Sequence, residues 1–248
     1  MTTSTLSPPV PLTSRSLDFA AVLGGAAAGT AGIVLLFNEP TALLVFMLLL
    51  CGVLLLRWHT RADLLGLLVG LSFGNLTEVL CDATGVWVHA TRAFLDVAPF
   101  YILVCYPILG FTVPHLMNAL AGRARERGEG SARALRDALL LWGTHLGLSC
   151  LFGTRNAPEA VVCVVLLGLT LWRFHTVHDL WTAAFGAVLG LVWEIPATVS
   201  GAWHFPAPQL MGLIPAWLPL AYAVFFVNLG RITVSLQEIL LGGRRADP

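Results

Sequence analysis

Two acids stand alone in long apolar stretches, and each closes the same pattern of small residues. Gly70, Gly74 and Glu78 follow one another at intervals of four, and so do Gly186, Gly190 and Glu194. That spacing keeps all three residues on nearly one helix face. Small residues spaced by four let helices approach closely in lipid, where packing rather than hydrophobicity drives association. A carboxyl group within a membrane is costly, so it marks a functional site by default. If each stripe packs on its own counterpart, Glu78 and Glu194 converge. Two close carboxyls in a low dielectric titrate as a coupled pair and share a proton. A poised proton suits general-acid catalysis or proton-coupled transport.

Polar and aromatic residues gather near both acids. Asp82, Thr84, Trp87 and His89 follow Glu78, Trp193, Ser200, Trp203 and His204 surround Glu194, and Tyr106 and Tyr222 lie further downstream. On a chemical reading Asp82 partners the acid, and the Trp and Tyr rings stabilise developing positive charge by cation–π contact. On a plainer reading the tryptophans form an interfacial belt, Thr84-Gly85 and Ser200-Gly201 end their helices, and the glutamates hold the bundle together. Asp63 and Asp179 close Arg-aromatic-His-Thr-x-x-Asp motifs, which read as helix-start caps. His115 and His145 have no second ligand at helical spacing, so neither a metal nor a cofactor is expected. The cysteines Cys51, Cys81, Cys105, Cys150 and Cys163 sit singly in apolar runs and read as small buried hydrophobes. Pro196 should kink or end its helix just past Glu194.

The elements that must carry these residues follow from composition. Charged residues make up 11% of the chain, less than half the roughly 25% of ordinary soluble domains. A chain so apolar needs lipid as its solvent. Spanning-length segments fall near 18–37, 40–56, 62–81, 97–121, 137–153, 158–172, 178–197 and 213–231, which predicts an all-α polytopic fold of about eight transmembrane helices. Lysine is absent, and the 14 arginines fall unequally, with only Arg92 and Arg155 on the side opposite the termini. By the positive-inside rule both termini are cytoplasmic, as in a multi-pass protein of a bacterial inner membrane. The basic stretch 122–136 is diluted by Glu126 and Glu129 and reads as a cytoplasmic loop, with no nucleic-acid partner. Residues 1–17 read as a disordered cytoplasmic tail and 232–248 as a second cytoplasmic tail.

An internal duplication organises these spans. Arg57–Trp87 lies over Arg173–Trp203 without a gap at an offset of 116, with ten of 31 positions identical. The matches are mostly Arg, His, Asp, Glu, Gly and Trp, which apolar composition alone does not produce. Upstream, Asn38-Glu-Pro40 resembles Asn156-Ala-Pro158 once a two-residue gap is allowed. Repeats 18–121 and 137–231 would each hold four helices. An even number inserts both repeats the same way up, related by an axis along the membrane normal.

No phosphate-binding loop, nucleophile elbow, zinc-protease motif or Asp-rich diphosphate motif is present. Two arginines on the outer side are too few for a diphosphate, so an uncharged lipid is the expected substrate. Glu78-x5-Thr84-Gly85 followed by an apolar Pro-containing helix resembles the bisanhydrobacterioruberin-hydratase-like carotenoid-biosynthesis membrane proteins. So does Glu194-x5-Ser200-Gly201 followed by the Ile214–Tyr222 segment. The Trp193-Glu194 pair is similar to that of small membrane-bound meroterpenoid (terpene) cyclases. The resemblance implies protonation of an isoprenoid double bond, followed by capture of the cation by water or by ring closure. Expected partners are the lipid bilayer and a hydrophobic small molecule. The competing expectations are a proton-coupled transporter or permease, with a polar cavity open to one aqueous side, and a non-catalytic membrane subunit with no cavity.

Overall fold

Thr60 and Thr176 each open a helix by the same device. The threonine hydroxyl accepts from the Asp63 or Asp179 backbone N–H, and that Asp accepts the threonine's backbone N–H at 3.0 Å. These reciprocal bonds satisfy orphan amides at a helix start, as the motif led us to expect. Each Asp also meets a nitrogen-bearing side chain from the last helix of its half. His115 Nε2 lies 2.7 Å from Asp63, and Arg231 Nε donates to Asp179 at 2.7 Å. His115 stacks on Trp58, and Arg231 sits over the Phe174 ring. His115 therefore has a partner after all, on another helix.

The structure, a computed structural model, describes residues 12–121 and 131–241. It is all-helical apart from one short ribbon. The helices are α1 (Leu12–Leu36), α2 (Pro40–Arg57), α3 (Arg61–Val69), α4 (Asn75–Ala83), α5 (Ile102–Ala121), α6 (Ala132–Phe152), α7 (Asn156–Arg173), α8 (Val177–Ser200) and α9 (Leu218–Leu240). A π-helical turn, Gly70–Gly74, joins α3 to α4 within one continuous rod, Arg61–Ala83. Strands β1 (Val88–His89) and β2 (Trp203–His204) pair antiparallel, Val88 opposite His204 and His89 opposite Trp203.

Among the described residues six helices are long and apolar enough to cross a membrane: Ser16–Leu36, Pro40–Arg57, Arg61–Ala83, Asn156–Arg173, Val177–Ser200 and Leu218–Leu240. Their outward faces carry bare hydrophobes, among them Leu35, Leu56 and Trp172, each more than three-quarters exposed. Water would not tolerate such a surface, and lipid does. α5 has a shorter apolar stretch, Ile102–Leu116, and α6 begins with Arg133, Arg136 and Asp137.

Several boundaries differ from expectation. The fourth segment of each half starts at 102 and 218 rather than 97 and 213. In front of it the chain makes a tight loop, bridged Phe94 to Ala98 in one half and Leu210 to Ile214 in the other. Left-handed backbone at Leu95, Asp96, Met211 and Gly212 closes these loops and cannot continue a helix. α9 runs on to Leu240, well past residue 231, and Ala132–Arg136 belongs to α6 rather than to a loop. Of the expected tails and loop, residues 1–11, 122–130 and 242–248 lie outside the described residues. Pro196 does not end its helix, since α8 continues to Ser200.

The element bounds recur at the same offset of 116. Pro40–Arg57 answers to Asn156–Arg173 and Ser16–Leu36 to Ala132–Phe152, so the two-residue gap allowed near Pro40 is not needed. α5 and α9 form the centre. α5 packs on α1, α2 and α3, α9 packs on α6, α7 and α8, and the two touch each other. Across the halves α1 meets α8 and α4 meets α6.

Candidate functional site

The glycine stripes pack on the last helix of their own half, not on each other. A Cβ at Gly70 would overlap the Tyr106 carbonyl, and one at Gly74 the Tyr106 ring. In the second half a Cβ at Gly190 would come within 2.6 Å of the Tyr222 ring, and one at Gly186 within 2.9 Å of Phe226 Cβ. Absent side chains thus let a tyrosine lie against the helix backbone, and its hydroxyl reaches the acid one turn further on. Tyr106 donates to Glu78 Oε2 at 2.7 Å, and Tyr222 donates to Glu194 Oε1.

The second donor to each acid comes from the ribbon. α4 ends at Ala83, capped by Thr84, and α8 at Ser200, and Gly85 and Gly201 just beyond take positive φ, 75° and 85°. A residue with a Cβ is strained there, which is why glycine ends these helices. The Thr84 hydroxyl donates to the Leu80 carbonyl and the Ser200 hydroxyl to the Ala197 carbonyl, so both side chains serve the helix end rather than the cleft. The chain then turns back as β1 or β2. Trp87 Nε1 donates to Glu78 Oε1 at 2.8 Å, and Trp203 Nε1 donates to Glu194 Oε2 at 2.6 Å. These two tryptophans are therefore hydrogen-bond donors to the acids.

Both acids line one narrow cleft of about 30 Å³. Its walls include Trp87, His89, Tyr106, Trp193, Trp203 and Tyr222, with Cys105, Leu109, Leu189 and Phe226 completing it. Glu78 is 3% exposed and Glu194 7%, so neither meets bulk water. The acids converge although their stripes do not, because β1–β2 pairing and the α5–α9 contact draw the halves together over the cleft.

The halves are chemically unequal. His89 Nε2 lies 3.3 Å from Glu78 Oε1, and its Nδ1 lies 2.6 Å from Asp82 Oδ2. The other half has Thr198 and Phe205 at the equivalent positions. Asp82 Oδ1 has no hydrogen-bond partner among the described residues, but the guanidinium of Arg92 stands 3.9 Å away and is half exposed. A carboxylate–imidazole–carboxylate chain therefore leads from the exposed Arg92 to the buried Glu78. Burial opposes a charge on His89, yet the Asp82 hydrogen bond and the fields of Glu78, Asp82 and Glu194 outweigh it and raise its pKa. Asp82 lies behind His89, not on the cleft wall, and His204 is exposed on β2.

Two apolar grooves flank the cleft and share walls with it. One, about 50 Å³, runs between α4, α6 and α9 past Trp142, Leu146, Trp217 and Phe225, and meets the cleft at Trp87, Tyr106 and Tyr222. The other, about 20 Å³, runs between α1, α2, α5 and α8 past Met47, Leu54 and Phe185, and meets it at Trp193. Both lie among hydrophobic side chains.

Residues legible only in three dimensions gather beside the first groove. His145 was expected to stand alone, but α7 brings Glu159 and Cys163 to it. Periodicity within one helix could not show a partner supplied by the next.

The fold and the site together define a helical membrane protein with paired buried carboxylates in an aromatic cleft. Comparison with known protein families, with characterised proteins and with solved structures finds no match for this chain.

Proposed function

We propose that the chain is an integral-membrane enzyme that protonates an isoprenoid or terpenoid lipid from Glu78 and directs the resulting cation to hydration or ring closure. The observation carrying this reading is the cleft in which two buried acids face seven aromatic and imidazole rings between two apolar grooves. A linear isoprenoid held in a groove would present a double bond to Glu78. Transfer of the carboxyl proton forms a C–H bond and leaves a tertiary cation, which the Trp and Tyr faces stabilise. Water or a second double bond then attacks, and the Glu194 carboxylate accepts the proton that the resulting oxonium ion or ring cation loses. Asp82 and His89 would resupply Glu78.

The same reading takes the halves as two tandem, parallel four-helix repeats, about eight spans in all. Both termini would be on the cytoplasmic side of a bacterial inner membrane. The recurrence of element bounds at one offset and the pairing of Val88 with its own counterpart His204 support a twofold axis through the ribbon. Even helix number makes that axis normal to the bilayer.

The test compares terpenoid profiles, by liquid chromatography and mass spectrometry, of hosts fed linear carotenoid or prenyl precursors. One host expresses the chain and the other the Glu78→Gln plus Glu194→Gln variant. A product heavier by one water, or an isomer of unchanged mass, that disappears in the variant supports hydration or cyclisation respectively. An unchanged profile with the protein confirmed in the membrane overturns the enzyme reading. The second reading, proton-coupled transport, is favoured by the chain from Arg92 through Asp82 and His89 to Glu78, and proteoliposome proton flux tests it.

A further inference from the structure

Outside the cleft, α6 and α7 share a buried polar cluster that the rest of the site does not use. His145 and Ser149 lie one turn apart on α6, and Glu159 and Cys163 lie one turn apart on α7. One ligand atom each from His145, Glu159 and Cys163 falls within 4.8 Å of the others. Cys163 Sγ is 3.9 Å from His145 Nε2 and 3.6 Å from Glu159 Oε1, while Ser149 Oγ donates to Glu159 Oε1 at 2.5 Å. Glu159 is fully buried, and its second oxygen, Oε2, has no hydrogen-bond partner among the described residues.

Packing does not call for these residues. The first half holds Gly29, Ile33, Leu43 and Met47 at the equivalent positions, and the last three are all but fully buried. The same helix pair is therefore built once from hydrocarbon and once from an imidazole, a hydroxyl, a carboxyl and a thiol. Burying a carboxylate with an unsatisfied oxygen costs free energy that leucine avoids. A ligand that uses those groups would offset the cost.

We propose that His145, Glu159 and Cys163 bind one thiophilic divalent cation of the zinc class. Mixed nitrogen, oxygen and sulfur donors suit such an ion, and Zn–N and Zn–S bonds of about 2.0 and 2.3 Å set tetrahedral donors about 3.5 Å apart. The sulfur already stands near that distance from both other donors. Charge also balances. A thiolate and a carboxylate neutralise the two positive charges, and the imidazole binds neutral, so the occupied site carries no net charge in a medium of low dielectric. Binding would release the Cys163 proton. Three protein ligands leave a fourth position for water, on the side where His145 and Ser149 line the first groove.

The experiment uses the full chain, purified in detergent from cells grown with added Zn²⁺ and then exchanged with Co²⁺. Elemental analysis should find about one metal ion per chain, and the cobalt form should show a thiolate-to-cobalt charge-transfer band. Cys163→Ser should remove that band. The paired variant Glu159→Leu with Cys163→Met, which installs the residues of the first half, should elute as a single species and retain no metal. Glu78→Gln should keep both metal and band. Absence of stoichiometric metal in the native chain overturns the proposal. So does a band that survives Cys163→Ser, or metal lost from Glu78→Gln, which would put the ion at Glu78, Asp82 and His89. None of these readouts depends on turnover, so the enzyme reading stands or falls separately.

Discussion

Glu78 and Glu194 each accept one indole N–H and one phenol O–H, but only Glu78 also faces an imidazole. That difference assigns unequal roles. Under the proposed function, Glu78→Gln should lower product formation by about 10²-fold or more, the usual scale of a lost proton donor. Glu194→Gln should lower it less, and quantified product per unit of membrane protein checks the order. Trp203→Phe removes a bond to a buried acid and should cost about 1.5–3 kcal/mol of stability, read from unfolding in detergent. His89 supplies a pH dependence whose sign follows from its raised pKa. A group whose pKa is higher in the folded chain stabilises fully below its unfolded value, about 6.5, and that stability is lost as pH rises through the folded value. Thermal stability of the native chain should therefore fall as pH climbs above about 6.5, and His89→Gln should flatten that part of the profile. Sequence alone showed that these residues were unusual for their setting. It did not show that tryptophans nine positions downstream would bond the acids, because that depends on how sharply the chain reverses at Gly85 and Gly201.

At the scale of elements, the glycine stripes decide where the tyrosines sit. Their spacing was readable, but their partner was not, since period four marks a close contact without saying with which helix. The tyrosine rings fill the hollows, so the stripe faces α5 or α9. Gly190→Val should push Tyr222 off Glu194 and cost about 1–3 kcal/mol by overpacking. Activity should fall further than that loss of stability accounts for, as the ratio of product yield to folded protein would show. The first half carries a π-helical turn, Gly70–Gly74, one turn before Glu78, where the second half keeps a regular helix. Such turns cluster at functional sites, and this one belongs to the half with the imidazole chain. The helix-start caps at Thr60 and Thr176 were legible because capping is local in sequence.

At the scale of the molecule, the helices present hydrocarbon outward, while α9 is buried along most of its length as a central post. Under the proposed topology, which follows the positive-inside rule, both termini lie on one side, so reporter fusions at residue 1 and residue 248 should both read cytoplasmic. Opposite readings at the two ends would make the number of crossings odd and remove the parallel repeat.

Composition and the periodic placement of polar residues are properties of the chain itself. They determined that it is helical and apolar enough along several segments to cross a membrane, that Arg57–Trp87 matches Arg173–Trp203 at an offset of 116, and that Glu78 and Glu194 are the residues to examine. Which helices touch depends on contacts between residues far apart in sequence, and no local pattern encodes those. Only the tertiary structure seated each stripe on its own tyrosine and drew the two acids to one cleft. It alone set His89 between Asp82 and Glu78, and it alone brought Glu159 and Cys163 to a histidine that had looked solitary.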